Sequence, residues 1–246
     1  MNGKEYLKNV KQEGEALEFL QSLPDKSVAL AFFDPQYEKV GDVSRVKDWP
    51  LHYQSENQIT EIIKQIERVL KPSGFCLLWI SKEILKLDRV QSWLLRTTRL
   101  KMVDFLVWNK NKIGMGSYFR SSGEYAWLLQ KNPQTSRKFT DKSFPNVWKE
   151  ESLSTQRRKH PHQKPFYLIR TLINATTQAG DLIVDPCAGS FIVLDACQDL
   201  GRDFIGVDLT LGDLKEHNEN LQAERERERE RAEMEPLNSP TLTDKN

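Results

Sequence analysis

The sequence predicts an α/β domain: a mostly parallel β-sheet with helices on both faces. Three observations carry that expectation. Short continuous apolar runs, such as Val28-Ala29-Leu30-Ala31-Phe32-Phe33, read as strands covered on both faces. Stretches with apolar residues at three- and four-residue spacing alternate with these runs and read as amphipathic helices. The 246 residues, 38% of them apolar, suit one domain of this kind and can bury a core over most of its length.

The elements follow in order. Glu13 to Leu23 places Ala16, Leu17, Phe19, Leu20 and Leu23 on one helical face, and Pro24 ends it. Ser27 to Phe33 is a buried strand. Residues 38–55 have neither period and read as a long polar loop. Glu56 to Leu70 repeats Ile59, Ile62, Ile63, Ile66 and Val69 as a helix, which Lys71-Pro72-Ser73-Gly74 stops. Phe75 to Ile80 is the next strand and Lys82 to Leu95 a helix. Met102 to Trp108 and Tyr125 to Leu129 are strands around the loop 109–116. Residues 131–164 are basic and irregular. Pro165 to Thr177 is a helix with proline in its first turn. Leu182 to Val184 is a strand, Phe191 to Leu200 a helix, and Phe204 to Val207 a strand closed by Asp208. Strands alternating with helices imply the parallel arrangement.

Residues 1–221 thus form one domain. From residue 222 the low-complexity run AERERERERAE and the polar EPLNSPTLTDKN offer no core-forming residues, so 222–246 is expected to be a charged, disordered tail. A contact arm for RNA or a partner is the sharper alternative.

Charge and composition exclude several classes. With 36 basic and 35 acidic residues the net charge is +1, so any polyanion binding must come from a local patch. Residues 137–164 supply one, with Arg137, Lys138, Lys142, Lys149, Arg157, Arg158, Lys159 and Lys164. Three cysteines without metal spacing read as reduced thiols of a cytoplasmic protein. No metal site is expected, and neither a secretory signal nor a membrane span is legible.

Two strand ends are chemically loaded. The first is Asp34-Pro35-Gln36-Tyr37. The second is Asp185-Pro186-Cys187-Ala188-Gly189-Ser190-Phe191, whose small residues let a ligand approach the backbone. Asp208 ends the strand after it, where a carboxylate can accept both ribose hydroxyls. No Gly-Lys-Ser/Thr follows, so the loop is not a phosphate loop. The pair reads as a nucleoside-cofactor site.

These residues resemble the amino-methyltransferases that modify adenine N6 or cytosine N4 in DNA, in the permuted β-group, where the catalytic motif precedes the cofactor segment. Asp34-Pro35-Gln36-Tyr37 is similar to the family's Asp-Pro-Pro-Tyr. His160-Pro161-His162-Gln163-Lys164-Pro165 is similar to His-Pro-x-Gln-Lys-Pro. Asp185-Pro186-Cys187-Ala188-Gly189-Ser190 and Phe204-Ile205-Gly206-Val207-Asp208 match its cofactor loop and strand. The resemblance spans residues 15–221. Gln36 replaces a proline, and Phe191 replaces the usual glycine. Phe191 either faces the ligand or packs under the following helix.

The resemblance implies a Rossmann-like S-adenosylmethionine-dependent methyltransferase fold. It implies a site-specific enzyme methylating adenine N6 in double-stranded DNA. Cytosine N4 is the alternative, with RNA or protein amide as another substrate class and an inactive binding module as a third. Asp in the first motif position leans toward adenine within the family. Asp34 and the Pro35 carbonyl are the implied catalytic acceptors, and Tyr37 the base-stacking ring. Phe33, Asp34, Lys164, Asp185, Cys187, Ala188, Gly189, Ser190, Asp208 and Leu209 are the implied cofactor contacts. Cys187 sits in the cofactor loop, so it is not the nucleophile of a cytosine-C5 enzyme. Loops 38–55, 109–123 and 131–163 are the expected DNA contacts, with Arg45, Lys110, Lys112, Arg120, Arg157 and Arg158 as candidate side chains. A homodimer and a cognate restriction enzyme are further expectations.

Overall fold

A computed structural model describes residues 5–37, 52–95, 99–116, 118–133, 139–154 and 157–212, together with Ala223 and Arg227. Arg45 and the expected tail, these two residues aside, lie outside the described residues.

Seven strands form a single mixed sheet in the order β5-β3-β4-β2-β1-β6-β7. The interior strand β1 (Val28–Phe33) is buried along its whole length. It pairs in parallel with β2 (Leu70–Ile80) on one side and with β6 (Leu182–Asp185) on the other. Parallel β7 (Asp203–Gly206) extends the sheet beyond β6. On the opposite flank, β4 (Gly123–Lys131) runs antiparallel to both β2 and β3 (Leu100–Asn109). The short β5 (Val147–Lys149) joins the far edge parallel to β3, inside a segment whose basic composition reads as irregular.

Side chains alternate between two cores, as the pleat requires. Ala31 and Phe33 face α1 (Ala16–Ser22), α2 (Glu56–Val69), α3 (Lys82–Lys86) and α4 (Arg89–Leu94). Leu30 and Phe32 face α5 (Phe166–Thr176) and α6 (Ile192–Leu200). Helix α2 shows why the periodicity is legible. Ile59, Ile62, Ile63, Ile66 and Val69 are all buried, each contributing about 1.5–3 kcal/mol, and Ser55 with Gln58 forms a capping box at its start.

Besides β5, three elements depart from the sequence expectation. The segment 82–95 is two short helices, broken at Asp88, whose φ of 50° is left-handed. Strand β2 begins at Leu70, so Lys71-Pro72-Ser73-Gly74 lies within it; a register shift against β1 absorbs the irregularity. Phe191 precedes α6 as its cap, with φ 56°, instead of opening the helix.

Candidate active site

The sheet order brings the two loaded loops together. Leu30 pairs with Ile183 and Ala31 with Val184, so β1 and β6 leave the sheet side by side and in step. Their successors, Asp34-Pro35-Gln36 and Asp185 to Ser190, therefore emerge on the same edge. This is the switch point of a doubly wound sheet, where β1 connects to one side and β6 lies on the other. The cleft between them is lined by Phe32, Asp34, Trp79, Lys164, Asp185 and Gly189, among others. A larger adjoining cavity of about 300 Å³ is bounded by Gly14, Glu15, Ala16 and Leu209. Gln36, His160, Cys187 and Asp208 face both cavities.

Asp34 is held by an ion-pair chain. Its Oδ2 accepts from Lys164 Nζ at 2.5 Å, and the same ammonium lies 3.1 Å from Glu124 Oε2. Lys164 also sits over the Trp79 ring, 4.8 Å from its centroid. The other Glu124 oxygen, Oε1, takes Lys110, which lies over the Trp108 ring. Burial alone would lower the Lys164 pKa, but the two carboxylates outweigh it and raise it. Burial alone would raise Glu124, but Lys164 and Lys110 bring it down to about 2. Lys164 and Glu124 therefore both stay charged near neutral pH.

The cofactor-like loop is built around Asp208. Its Oδ2 accepts the Gly189 N–H at 2.8 Å and its Oδ1 the Thr210 N–H at 3.3 Å. Gly189 has φ 50°, and a Cβ there would press against the His160 ring at 3.2 Å, so only glycine fits both conditions. Burial keeps His160 neutral by lowering its pKa to about 4, against the pull of Asp208 and Asp34. Burial, with Asp208 and Asp34 nearby, pushes Asp185 up to about 8, although the Cys187 N–H donates to it at 3.1 Å. Burial also raises the Cys187 thiol well above its ordinary range, so no thiolate nucleophile stands here.

The expected site residues fall as follows. Asp34, Lys164, Asp185, Cys187, Ala188, Gly189, Ser190 and Asp208 line the first cavity, and Leu209 lines the second. Phe33 is fully buried on the other face of β1, and Phe32 takes the place at the cleft. Tyr37 packs against the core with its hydroxyl hydrogen-bonded to Ser81, and burial raises its pKa. The Pro35 carbonyl accepts the Tyr37 N–H at 3.1 Å, one of the two bonds its lone pairs can make. Phe191 packs under α6 at 2% exposure, edge-on to Phe204. Of the cationic candidates, Lys110 is engaged with Glu124, and Arg158 is folded onto the Leu153 and Pro161 carbonyls. Lys112, Arg120 and Arg157 are exposed.

Glu124, Trp79 and Gln54 join the site without a sequence signal. Gln54 donates to Cys187 Sγ at 3.5 Å, and its buried Oε1 has no partner among the described residues. Among the described residues no His, Cys, Asp and Glu group is arranged to hold a metal, and no helix is long and apolar enough to cross a membrane.

A family model described as DNA methylase, of the N6/N4 type, matches residues 28–218. The chain belongs to this family. It is a DNA methyltransferase. The Type II methyltransferase M.HhaII of Haemophilus parahaemolyticus is 39% identical over 215 residues, covering 83% of this chain and 92% of that one. The DNA adenine methyltransferase YhdJ of Escherichia coli is 25% identical over 233 residues, covering 80% of this chain and 76% of that one. In fold, the chain is similar to the M1.HpyAVI–SAM complex, with TM-score 0.63, 20% identity and coverage of 85% and 97%. It is also similar to the PvuII cytosine-N4-specific DNA methyltransferase, with TM-score 0.65, 16% identity and coverage of 86% and 87%. The last two comparisons establish the Rossmann-like α/β methyltransferase fold.

Proposed function

We propose that this methyltransferase acts on the exocyclic N6 of adenine at a specific site in double-stranded DNA, with Asp34 and the Pro35 carbonyl gripping the amine. The observation that carries the reading is the meeting of Asp34 with the Asp185–Ser190 loop and Asp208 in one cleft. The Asp-first motif and the adenine specificity in the name of the YhdJ relative favour adenine over cytosine.

S-adenosylmethionine is the methyl donor, and the cleft suits it. Asp34 and Asp208 converge there around Lys164, beside Asp185, whose burial and acidic neighbours push it up to about 8. Such a site favours a cationic ligand. Asp208 would take the ribose hydroxyls. Asp185, Cys187, Ala188, Gly189, Ser190, Leu209 and the Phe33 backbone would border the rest. When bound, the cofactor supplies an electrophilic methyl group on a sulfonium.

The protein's part is positioning. An exocyclic amine is a weak nucleophile because its lone pair is delocalised into the ring. Lys164 occupies Oδ2 of Asp34 and leaves Oδ1 for one amine N–H, while the Pro35 carbonyl takes the other. Two acceptors on one nitrogen draw it toward tetrahedral geometry and localise the lone pair. The new N–C bond forms as the S–C bond breaks, and the amine's surplus proton leaves through Asp34 to water. Tyr37, tethered at Ser81, would stack on the base, which must leave the duplex to enter the cleft. The reading includes the permuted β-group order, a single domain over 1–221, a homodimer and a cognate restriction enzyme.

The test is to incubate the protein with labelled S-adenosylmethionine and unmethylated genomic DNA, then digest and identify the nucleoside by mass spectrometry. N6-methyladenine is expected. N4-methylcytosine instead would overturn the assignment of the base, and label confined to RNA or protein would overturn the substrate class.

A further inference from the structure

The hairpin joining β3 and β4 carries an aromatic tip that no step of the mechanism uses. Tyr118 is 94% exposed and Phe119 93%, with Ile113 at 77% and Met115 at 76% beside them. Isolated exposed apolar residues are ordinary, but four large ones on a single loop are not.

The loop is a built arm. Lys110 N–H donates to the Ser122 carbonyl at 2.8 Å, Gly114 N–H to Ser121 at 2.7 Å, and Ser121 N–H to Met115 at 3.1 Å. Arg120 Nε braces it across to the Gly114 carbonyl at 2.6 Å. A Cβ on Gly116 would overlap the Phe119 carbonyl, so the narrow tip needs glycine there. Two exposed cations flank the tip, Arg120 and Lys112, the latter donating to the Ser152 carbonyl at 3.0 Å.

Its placement is set by topology. Strand β3 is antiparallel to β4, which is antiparallel to β2, so β3 points the same way as β1 and β2. The arm therefore leaves the same edge as Asp34. Its root is tied there by Lys110–Glu124 and Glu124–Lys164–Asp34. About five residues per side beyond the sheet project the tip roughly 15 Å outward.

We propose that Tyr118 and Phe119 form a wedge that enters the base stack of duplex DNA and fills the gap left when the target base turns into the cleft. The inference rests on the reading that DNA is methylated at Asp34. An aromatic ring presented on a braced arm beside Lys112 and Arg120 has the chemistry to replace a departed base by stacking. Nothing in the fold requires these rings, since they bury almost no surface.

The test uses the full-length enzyme with S-adenosylmethionine and two oligonucleotides carrying its methylation site. One is an intact duplex. In the other, the target base faces an abasic position and is already unpaired. The expected result for Y118A/F119A is a fall in kcat/KM of about 10- to 100-fold on the duplex, the size of one to two lost stacking contacts. On the pre-unpaired substrate the loss should shrink to about threefold or less. The fluorescence of 2-aminopurine at the target position should rise with wild type and stay low with the variant. An unchanged rate on the duplex, or the same loss on both substrates, would overturn the wedge. If the wild-type enzyme methylates neither oligonucleotide, the underlying reading fails instead.

Discussion

Replacing Glu124 by glutamine tests the ion-pair chain behind Asp34. The carboxyl has an ordinary pKa near 4.5 and is brought to about 2 in the folded protein. Because the folded value is depressed, the contribution is fully present above about 4.5 and is lost as pH falls toward 2. At roughly 1.4 kcal/mol per unit, the gap corresponds to about 3 kcal/mol at pH 7 and roughly 1 kcal/mol at pH 3. The side chain is 26% exposed, so solvent screening brings the true figure toward the lower end. The assay is urea unfolding followed by tryptophan fluorescence at pH 7, 5, 4 and 3, for wild type and E124Q. The variant should be less stable by about 2–3 kcal/mol at pH 7, and the two proteins should converge as the solution is acidified. A stability difference that stays constant from pH 7 to pH 3 would refute the argument that Glu124 works through its charge.

Further outcomes follow from the same geometry. Asp208→Ala removes a carboxylate placed for two hydroxyls, so the cofactor Kd should rise about 10- to 100-fold, measured by isothermal titration. Cys187→Ser should keep turnover within about threefold of wild type, because the protonated thiol makes only a weak contact with Gln54; abolished turnover would revive covalent catalysis. Phe191→Gly relieves a left-handed φ of 56°, worth about 1–2 kcal/mol, but empties a core position worth about 3–5. Chemical denaturation should therefore show a net loss of roughly 1–4 kcal/mol.

Where the sequence speaks, it does so through periodicity and strand ends. The isoleucine spacing of α2 gives its bounds to within a residue, because one face alone must be apolar. Asp34, Asp208 and the small residues after β6 are legible because they interrupt buried runs with chemistry a strand does not need. The break at Asp88 is silent, since neither glycine nor proline marks it. Strand β5 exists because β3 offers a free edge, and three exposed or half-exposed residues cannot announce that. Glu124 is silent for a topological reason. It is an ordinary charge at the start of a strand until antiparallel pairing carries that start to the catalytic edge. Gln54 likewise gains its meaning only through its parallel bridge to Tyr37.

In the proposed mechanism Asp34 grips the amine while the loop after β6 holds the donor. The most direct measurement is a single-turnover methyl transfer from pre-bound labelled S-adenosylmethionine to DNA by Asp34→Asn. Cofactor Kd should rise by about tenfold or less, one carboxylate of the cleft being neutralised, while the transfer rate from pre-bound cofactor falls by about 100-fold or more. Transfer at the wild-type rate would contradict that mechanism.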